Sequence, residues 1–243
     1  MDQTSQTNNE IYEGSDLEAL STMRRYQEWI ISQFQPYLAG DAIEIGAGIG
    51  NIASHILPHV STLKLVEPSE NMIGRLREKF TDTDNVTIIQ QEFDTLVRDT
   101  PAGSYDCVIL VNVLEHIEDD STAVSECMRI LRPNGHLLVL VPALPFLFSD
   151  LDAAVSHYRR YTKDGLSSTL ESANFSIELH SYFDFLGIFP WWVLNTLGGA
   201  TTFNPKLVNV YDLVFVPITR WLEERINPPV GKNLITVGKR TEA

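Results

Sequence analysis

The residue types best placed to do chemistry begin with Glu44-x-Gly46-x-Gly48-x-Gly50, which ends the apolar run Ala42 to Ile45 and precedes a helix-like stretch, Asn51 to Leu57. A strand that turns sharply into a helix presents backbone N–H groups to a ligand, and glycines let that ligand approach with no Cβ in the way. This is the pattern of a nucleotide-type cofactor loop. Dinucleotide loops place their third glycine where this chain has Asn51, and the last glycine here, Gly50, comes one residue early. Further along, Glu67 closes a second apolar run in Lys64-Leu65-Val66-Glu67-Pro68, where a carboxylate can accept both ribose hydroxyl hydrogens. That geometry is shared by nicotinamide enzymes, so Glu67 alone does not choose the cofactor.

The companions of Glu67 do choose. Glu44-x-Gly46-x-Gly48-x-Gly50 resembles motif I of the class I, Rossmann-like S-adenosylmethionine (SAM)-dependent methyltransferases, with an acidic residue two places before the first glycine. Gln91-Glu92-Phe93-Asp94 resembles the segment in which that family holds adenine, Glu92 standing where an Asp is more frequent and Asp94 being the alternative. Asn112-Val113-Leu114-Glu115-His116 resembles the family's motif IV, with Tyr105-Asp106 opening the strand before it. The resemblance implies SAM as cofactor and S-adenosylhomocysteine as product. It assigns to them Glu44, Gly46, Ala47, Gly48, Gly50 and Asn51 from the loop, Glu67, Pro68 and Met72 after the second strand, Glu92 and Phe93 after the third, and Asn112 beside the methionine end.

Methyl transfer from a sulfonium is an in-line displacement, driven mostly by positioning and desolvation. A base is needed only where the acceptor must lose a proton. His116, His157 and Tyr161 lie where such a base could reach. In Ser156-His157-Tyr158-Arg159-Arg160-Tyr161-Thr162, Arg159 or Arg160 could fix an anionic group of the acceptor. The alternative is that Thr162 caps the next helix while the arginines pair with surface acids. Tyr12, Tyr26, Trp191 and Trp192 are the remaining expected acceptor contacts.

Composition narrows the partners. Eighteen basic against 32 acidic residues give a net charge of −14, which repels phosphate backbones and anionic membranes. Nucleic acid is therefore not expected as a partner. Asn227-Pro228-Pro229-Val230 looks like the tetrapeptide of nucleobase amino-methyltransferases, but it lies before the last strand, lacks the aromatic and reads as a turn. Cys107 and Cys127, without metal-ligand spacing, read as small buried residues. Asp119-Asp120 opens a helix, where carboxylates suit the dipole, so no metal is expected. The first ten residues lack a signal-peptide layout, so a cytoplasmic location is expected. The apolar stretch 182–199 contains Asp184, Pro190 and Asn195, which argues against a membrane-spanning helix and leaves surface contact with a membrane as the less favoured option.

The elements that must position these residues alternate. Strands are expected near 42–46, 62–67, 86–90, 106–112 and 135–141, with helices at 50–58, 69–80 and 119–131 between them. A helix near 163–173, a strand near 175–183 and a final strand from Asn233 to Lys239 follow, the last two pairing antiparallel. The fold class is α/β: a Rossmann-like, doubly wound, seven-stranded sheet, mostly parallel with an antiparallel last strand. Residues 1–14 read as a disordered tail and 15–243 as one domain, with an N-terminal helix lid at 15–38 and an aromatic helical cap inserted at 184–231. The acceptor expected is a small molecule, with a glycan or lipid-linked intermediate as the alternative. A SAM- or adenine-nucleotide-binding module without turnover and a nicotinamide oxidoreductase are the readings from other classes. Oligomeric state is not legible.

Overall fold

A computed structural model describes residues 21–241, so Tyr12 and the expected tail lie outside the described residues. Seven strands form one sheet in the order β3-β2-β1-β4-β5-β7-β6: β1 Asp41–Ile45, β2 Thr62–Val66, β3 Val86–Ile89, β4 Tyr105–Val111, β5 Leu131–Pro142, β6 Phe175–Phe183 and β7 Asn233–Arg240. The first five pair in parallel, and β7 runs antiparallel between β5 and β6. Parallel strands covered on both faces read as continuous apolar runs, as Val108-Ile109-Leu110 and Leu137 to Val141 do, all of them fully buried.

Helices cover both faces. On one lie α1 (Arg24–Phe34), α2 (Ala53–Ile56) and α3 (Glu70–Lys79), whose Trp29, Phe34, Ile56 and Leu76 share a core with Leu63, Ile109 and Leu138. On the other lie α4 (Phe93–Asp99), α5 (Asp120–Ile130) and α7 (Lys163–Ser172), which bury Leu96, Val124 and Leu166 against Ile43, Val108 and Val139. A short α6 (Asp150–Ala154) sits between β5 and α7. Two boundaries differ from the sequence expectation. The short, polar α4 carries too few apolar residues to show a helical period. Strand β5 begins at Leu131, directly after α5, because Leu131 already pairs with Tyr105; the ladder then bulges through Asn134, at φ 65°, and resumes at Cys107 and His136.

The inserted segment between β6 and β7 is helical. α8 (Ile188–Trp191) runs into a wider turn, Trp192–Leu197, while α9 (Pro205–Val210), a second wide turn Tyr211–Phe215 and α10 (Val216–Glu223) form one longer helical run. This cap is tied to α1. The helix begins after Met23, whose side chain cannot cap it, and Asp212 of the insertion does so instead, accepting from the backbone N–H of Arg25 at 3.2 Å and of Tyr26 at 2.9 Å.

Candidate functional site

Doubly wound sheets bind ligands at the carboxyl ends of the strands where the strand order reverses. Here that point lies between β1 and β4, and the residues singled out in the sequence converge on it. Gly46, Gly48 and Gly50 all have positive φ, at 72°, 54° and 77°. A Cβ at Gly46 would stand 2.5 Å from Val113 Cγ2, across the crevice from β4. Asn112, exposed at the end of β4, is at φ 53°, a left-handed conformation that asparagine adopts more readily than most residues.

Glu67, at the end of β2, is buried and organises the loop. One carboxylate oxygen accepts from Gly48 N–H at 2.8 Å and the other from Ser69 N–H at 2.9 Å. A carboxylate offers about four lone-pair sites, so each oxygen retains capacity for a ligand hydroxyl. Glu44, on β1, is also buried, and its Oε2 has no hydrogen-bond partner. Burial pushes its carboxyl up to about 8, against the pull of Lys79 and with a further push from Glu67. Lys79 meanwhile donates to the Gly50 carbonyl at 2.7 Å. Met72 is buried in α3, Phe93 packs partly against the core at the start of α4, and Glu92 precedes it, exposed. Glu67 is thus bonded to the glycine loop, and Val113, just after β4, lies against Gly46.

The segment after β5 supplies the second half. Asp152, fully buried in α6, receives four donors: Ser149 N–H and Oγ at 2.9 Å each, His157 Nδ1 at 2.9 Å and Arg160 Nε at 3.0 Å. Burial alone would raise its pKa, but the bonds from His157, Arg160 and Ser149 and the Arg160 charge bring it below the usual carboxylate value. His157 is thereby oriented, and its ring meets that of His116 edge-on, with centroids 4.6 Å apart. Beside them Glu115 is wholly buried, and neither carboxylate oxygen accepts a hydrogen bond from another residue. Burial pushes Glu115 up to about 8.

Several of the expected residues are engaged by other groups. Tyr161 is buried, with its hydroxyl donating to Asp120 Oδ2 at 2.8 Å beside the Leu114 carbonyl; burial and Asp120 raise its pKa strongly, so it holds structure rather than accepting protons. Arg160 points inward, bonded to Asp152 and the Ala143 carbonyl and stacked 4.4 Å from the Trp191 ring, while Arg159 pairs with Asp120 at 2.9 Å. The Arg160 guanidinium is buried and bonded within the protein, while Arg159 keeps part of its surface exposed. Thr162 caps α7 through Gly165 N–H. Tyr26 lies in the core, its hydroxyl accepting from Asn233 at 2.6 Å, so it anchors α1 rather than lining a lid. Trp191 donates to the Leu147 carbonyl at 3.1 Å, and Trp192 faces outward. Asp152 was not singled out in the sequence, although Ser149-x-x-Asp152 is a capping-box spacing that marks where it sits.

Residues 43–139, which hold the glycine loop, Glu67, Glu92 and Asn112 to His116, match the family profile described as a methyltransferase domain. The matched stretch is a methyltransferase domain of the class I, Rossmann-like, SAM-dependent kind. The chain is 28% identical over 151 residues to a probable SAM-dependent methyltransferase of Mycolicibacterium smegmatis, covering 61% of this chain and 55% of that protein. It is 30% identical over 139 residues to one of Mycobacterium tuberculosis, covering 56% and 49%. The chain thus spans about half the length of the curated relatives it matches. Among solved structures, a SAM-dependent methyltransferase from Mesorhizobium loti superposes with a TM-score of 0.61 at 17% identity, over 87% of this chain and 95% of that one. A chain from the complex of the Haloferax volcanii Trm112 methyltransferase activator with a methyltransferase reaches 0.63 at 15%, over 93% and 96%. At such identities these superpositions speak for the methyltransferase fold.

Proposed function

We propose that this chain transfers a methyl group from SAM to a nitrogen or oxygen atom of a small-molecule acceptor. The observation that carries the reading is the buried Glu44 with its unpartnered Oε2, within electrostatic reach of Glu67, which holds the positive-φ glycine loop. An orphaned buried carboxylate is costly, and the ammonium of an amino-acid-bearing cofactor is a partner of the right charge. SAM supplies the electrophilic methyl. Glu67 is suited to the ribose hydroxyls, Glu92 and Phe93 to the adenine, and Asn112 to the methionine end. The acceptor side is bounded by Glu115, His116 and His157, with the Ala143-to-Leu147 segment tied to the cap through Trp191.

Thermal stabilisation by SAM, S-adenosylhomocysteine and NAD tests the cofactor. A ligand at a hundred times its Kd adds about 2.7 kcal/mol. A shift with the first two, abolished by Gly46→Arg, supports the reading; a shift with NAD alone overturns it. A labelled-methyl assay against amine and phenol acceptors then separates an enzyme from a binding module.

A second reading, a lipid-linked acceptor met at a membrane surface, is favoured by one feature. Leu207, Val210, Val214, Ile218 and Trp221 form an exposed apolar stripe at helical spacing along the longer run of the cap, with Phe189 and Leu197 exposed on the shorter one. From 185 to 222 the charged residues are Lys206, Arg220 and a buried Asp212, and Arg220 pairs with Glu224 at 3.0 Å, so the stripe itself carries little charge. Among the described residues no helix is long and apolar enough to cross a membrane. Co-sedimentation with vesicles tests this reading.

A further inference from the structure

We propose that the Glu115 carboxylate and the imidazoles of His116 and His157 form a binding site for a divalent transition-metal cation. Each residue offers one ligand atom, and the three atoms lie within 4.8 Å of one another. Donors about 2.1 Å from a shared ion stand roughly 3 to 3.5 Å apart, so small side-chain rotations close the set.

The strongest argument is Glu115. It is 0% exposed, and neither oxygen accepts a hydrogen bond from another residue, with His157 Nε2 at 3.9 Å from Oε1, beyond bonding distance. A buried carboxylate left this way is expensive, and buried charges are ordinarily paired or bound to metal. The nearby cation does not meet the need, since Arg160 is committed to Asp152 and the Ala143 carbonyl. Asp152, a few residues away in space, is by contrast saturated with donors.

His157 adds a second argument. Its Nδ1 bonds Asp152 at 2.9 Å, which fixes the ring so that Nε2 faces Glu115. A carboxylate behind the far nitrogen of a ligating histidine is the usual support of a metal-bound imidazole, fixing its tautomer and raising its basicity. Two imidazoles and one carboxylate suit zinc, iron, cobalt or manganese better than magnesium or calcium. Three protein ligands leave positions open for a further oxygen.

The role of such an ion rests on the methyl-transfer reading; its binding does not. An acceptor hydroxyl bound to a divalent cation releases its proton to solvent near neutral pH, leaving a nucleophilic oxygen. The acceptor class is then one bearing a hydroxyl that can reach the ion, and the two imidazoles serve as ligands rather than as proton acceptors. This assignment departs from the expectation of a metal-free site, which rested on Asp119-Asp120 reading as the start of a helix.

Cobalt titration of untagged, chelator-treated protein tests the proposal, read by visible absorbance and by calorimetry. The expected result is one Co²⁺ per chain, with affinity reduced at least about tenfold in Glu115→Gln, His116→Ala and His157→Ala and unchanged in His59→Ala. Glu115→Gln keeps the shape of the side chain, and circular dichroism checks the fold of each variant. No saturable binding to the wild type, or one equivalent bound equally well by all three variants, overturns it. SAM stabilisation, measured on the same proteins without cobalt, reports separately on the methyl-transfer reading.

Discussion

The backbone N–H of Tyr26 donates to Oδ1 of Asp212 at 2.9 Å, across 186 residues of sequence. The first helix therefore takes its cap from the insertion, and the two are stable together or not at all. Asp212→Ala should cost about 1 to 2 kcal/mol, measured by urea denaturation, and should expose the α1 region to limited proteolysis. Unchanged stability would mean that water caps this helix adequately.

In the cofactor loop, Glu67→Gln leaves Gly48 and Ser69 without a charged acceptor and removes the carboxylate suited to ribose. SAM affinity should fall by at least tenfold in calorimetry, with global stability lowered by about 1 to 3 kcal/mol. Gly46→Ala acts differently. Its Cβ meets the stiff Val113 side chain in a backbone conformation that costs an L-residue about 1 to 2 kcal/mol, so SAM binding should weaken although no ligand contact is deleted.

Glu44 gives a pH dependence with a definite sign. Burial pushes its carboxyl up to about 8 from an ordinary value of 4.5, so between those values the native state binds the extra proton and stability falls as pH rises. The ligand-free thermal midpoint should therefore decline from pH 5 to 8, by up to about 1.4 kcal/mol per pH unit for this group. Glu44→Gln should flatten the profile, leaving the shares of Glu115 and Glu223, which burial also raises. SAM should stabilise the wild type more at pH 8 than at pH 6, and an equal gain at both would separate Glu44 from the ammonium.

Asp152→Ala strands a buried guanidinium and unpins His157. Removing one partner of a buried ion pair costs about 3 to 5 kcal/mol, so a large fall in the urea midpoint is expected. Double substitution with Arg160→Met should recover part of the loss, because the uncompensated charge goes with it.

The apolar stripe makes the acceptor question tractable. Wild-type protein should co-sediment with phosphatidylcholine vesicles containing a fraction of anionic lipid, and Val214→Glu with Ile218→Glu should abolish that without changing SAM affinity. Absence of sedimentation would leave a freely diffusing acceptor as the reading.

The parallel sheet was legible because buried strands are long apolar runs punctuated by Gly46, Glu67 and Asn112. The acceptor half was harder to read. Arg159, Arg160 and Tyr161 look like exposed functional groups in sequence, yet Asp120 and Asp152, each from another element, take up their polar atoms. Tyr26 misleads similarly, as helical spacing shows that it faces inward but not that Asn233 waits for its hydroxyl. Those partnerships depend on how α1, α6 and the cap meet, which local patterns do not encode.

The cap leaves the sheet after Phe183 and returns at Asn233, and these two residues face each other across the β6–β7 ladder. The insertion thus enters and exits through a single point, and each doubling of its length adds only about 0.6 kcal/mol of closure entropy. Such a segment behaves as an exchangeable cassette. Descendants of one ancestral sheet could trade it for another and change what they modify while the cofactor crevice stays intact.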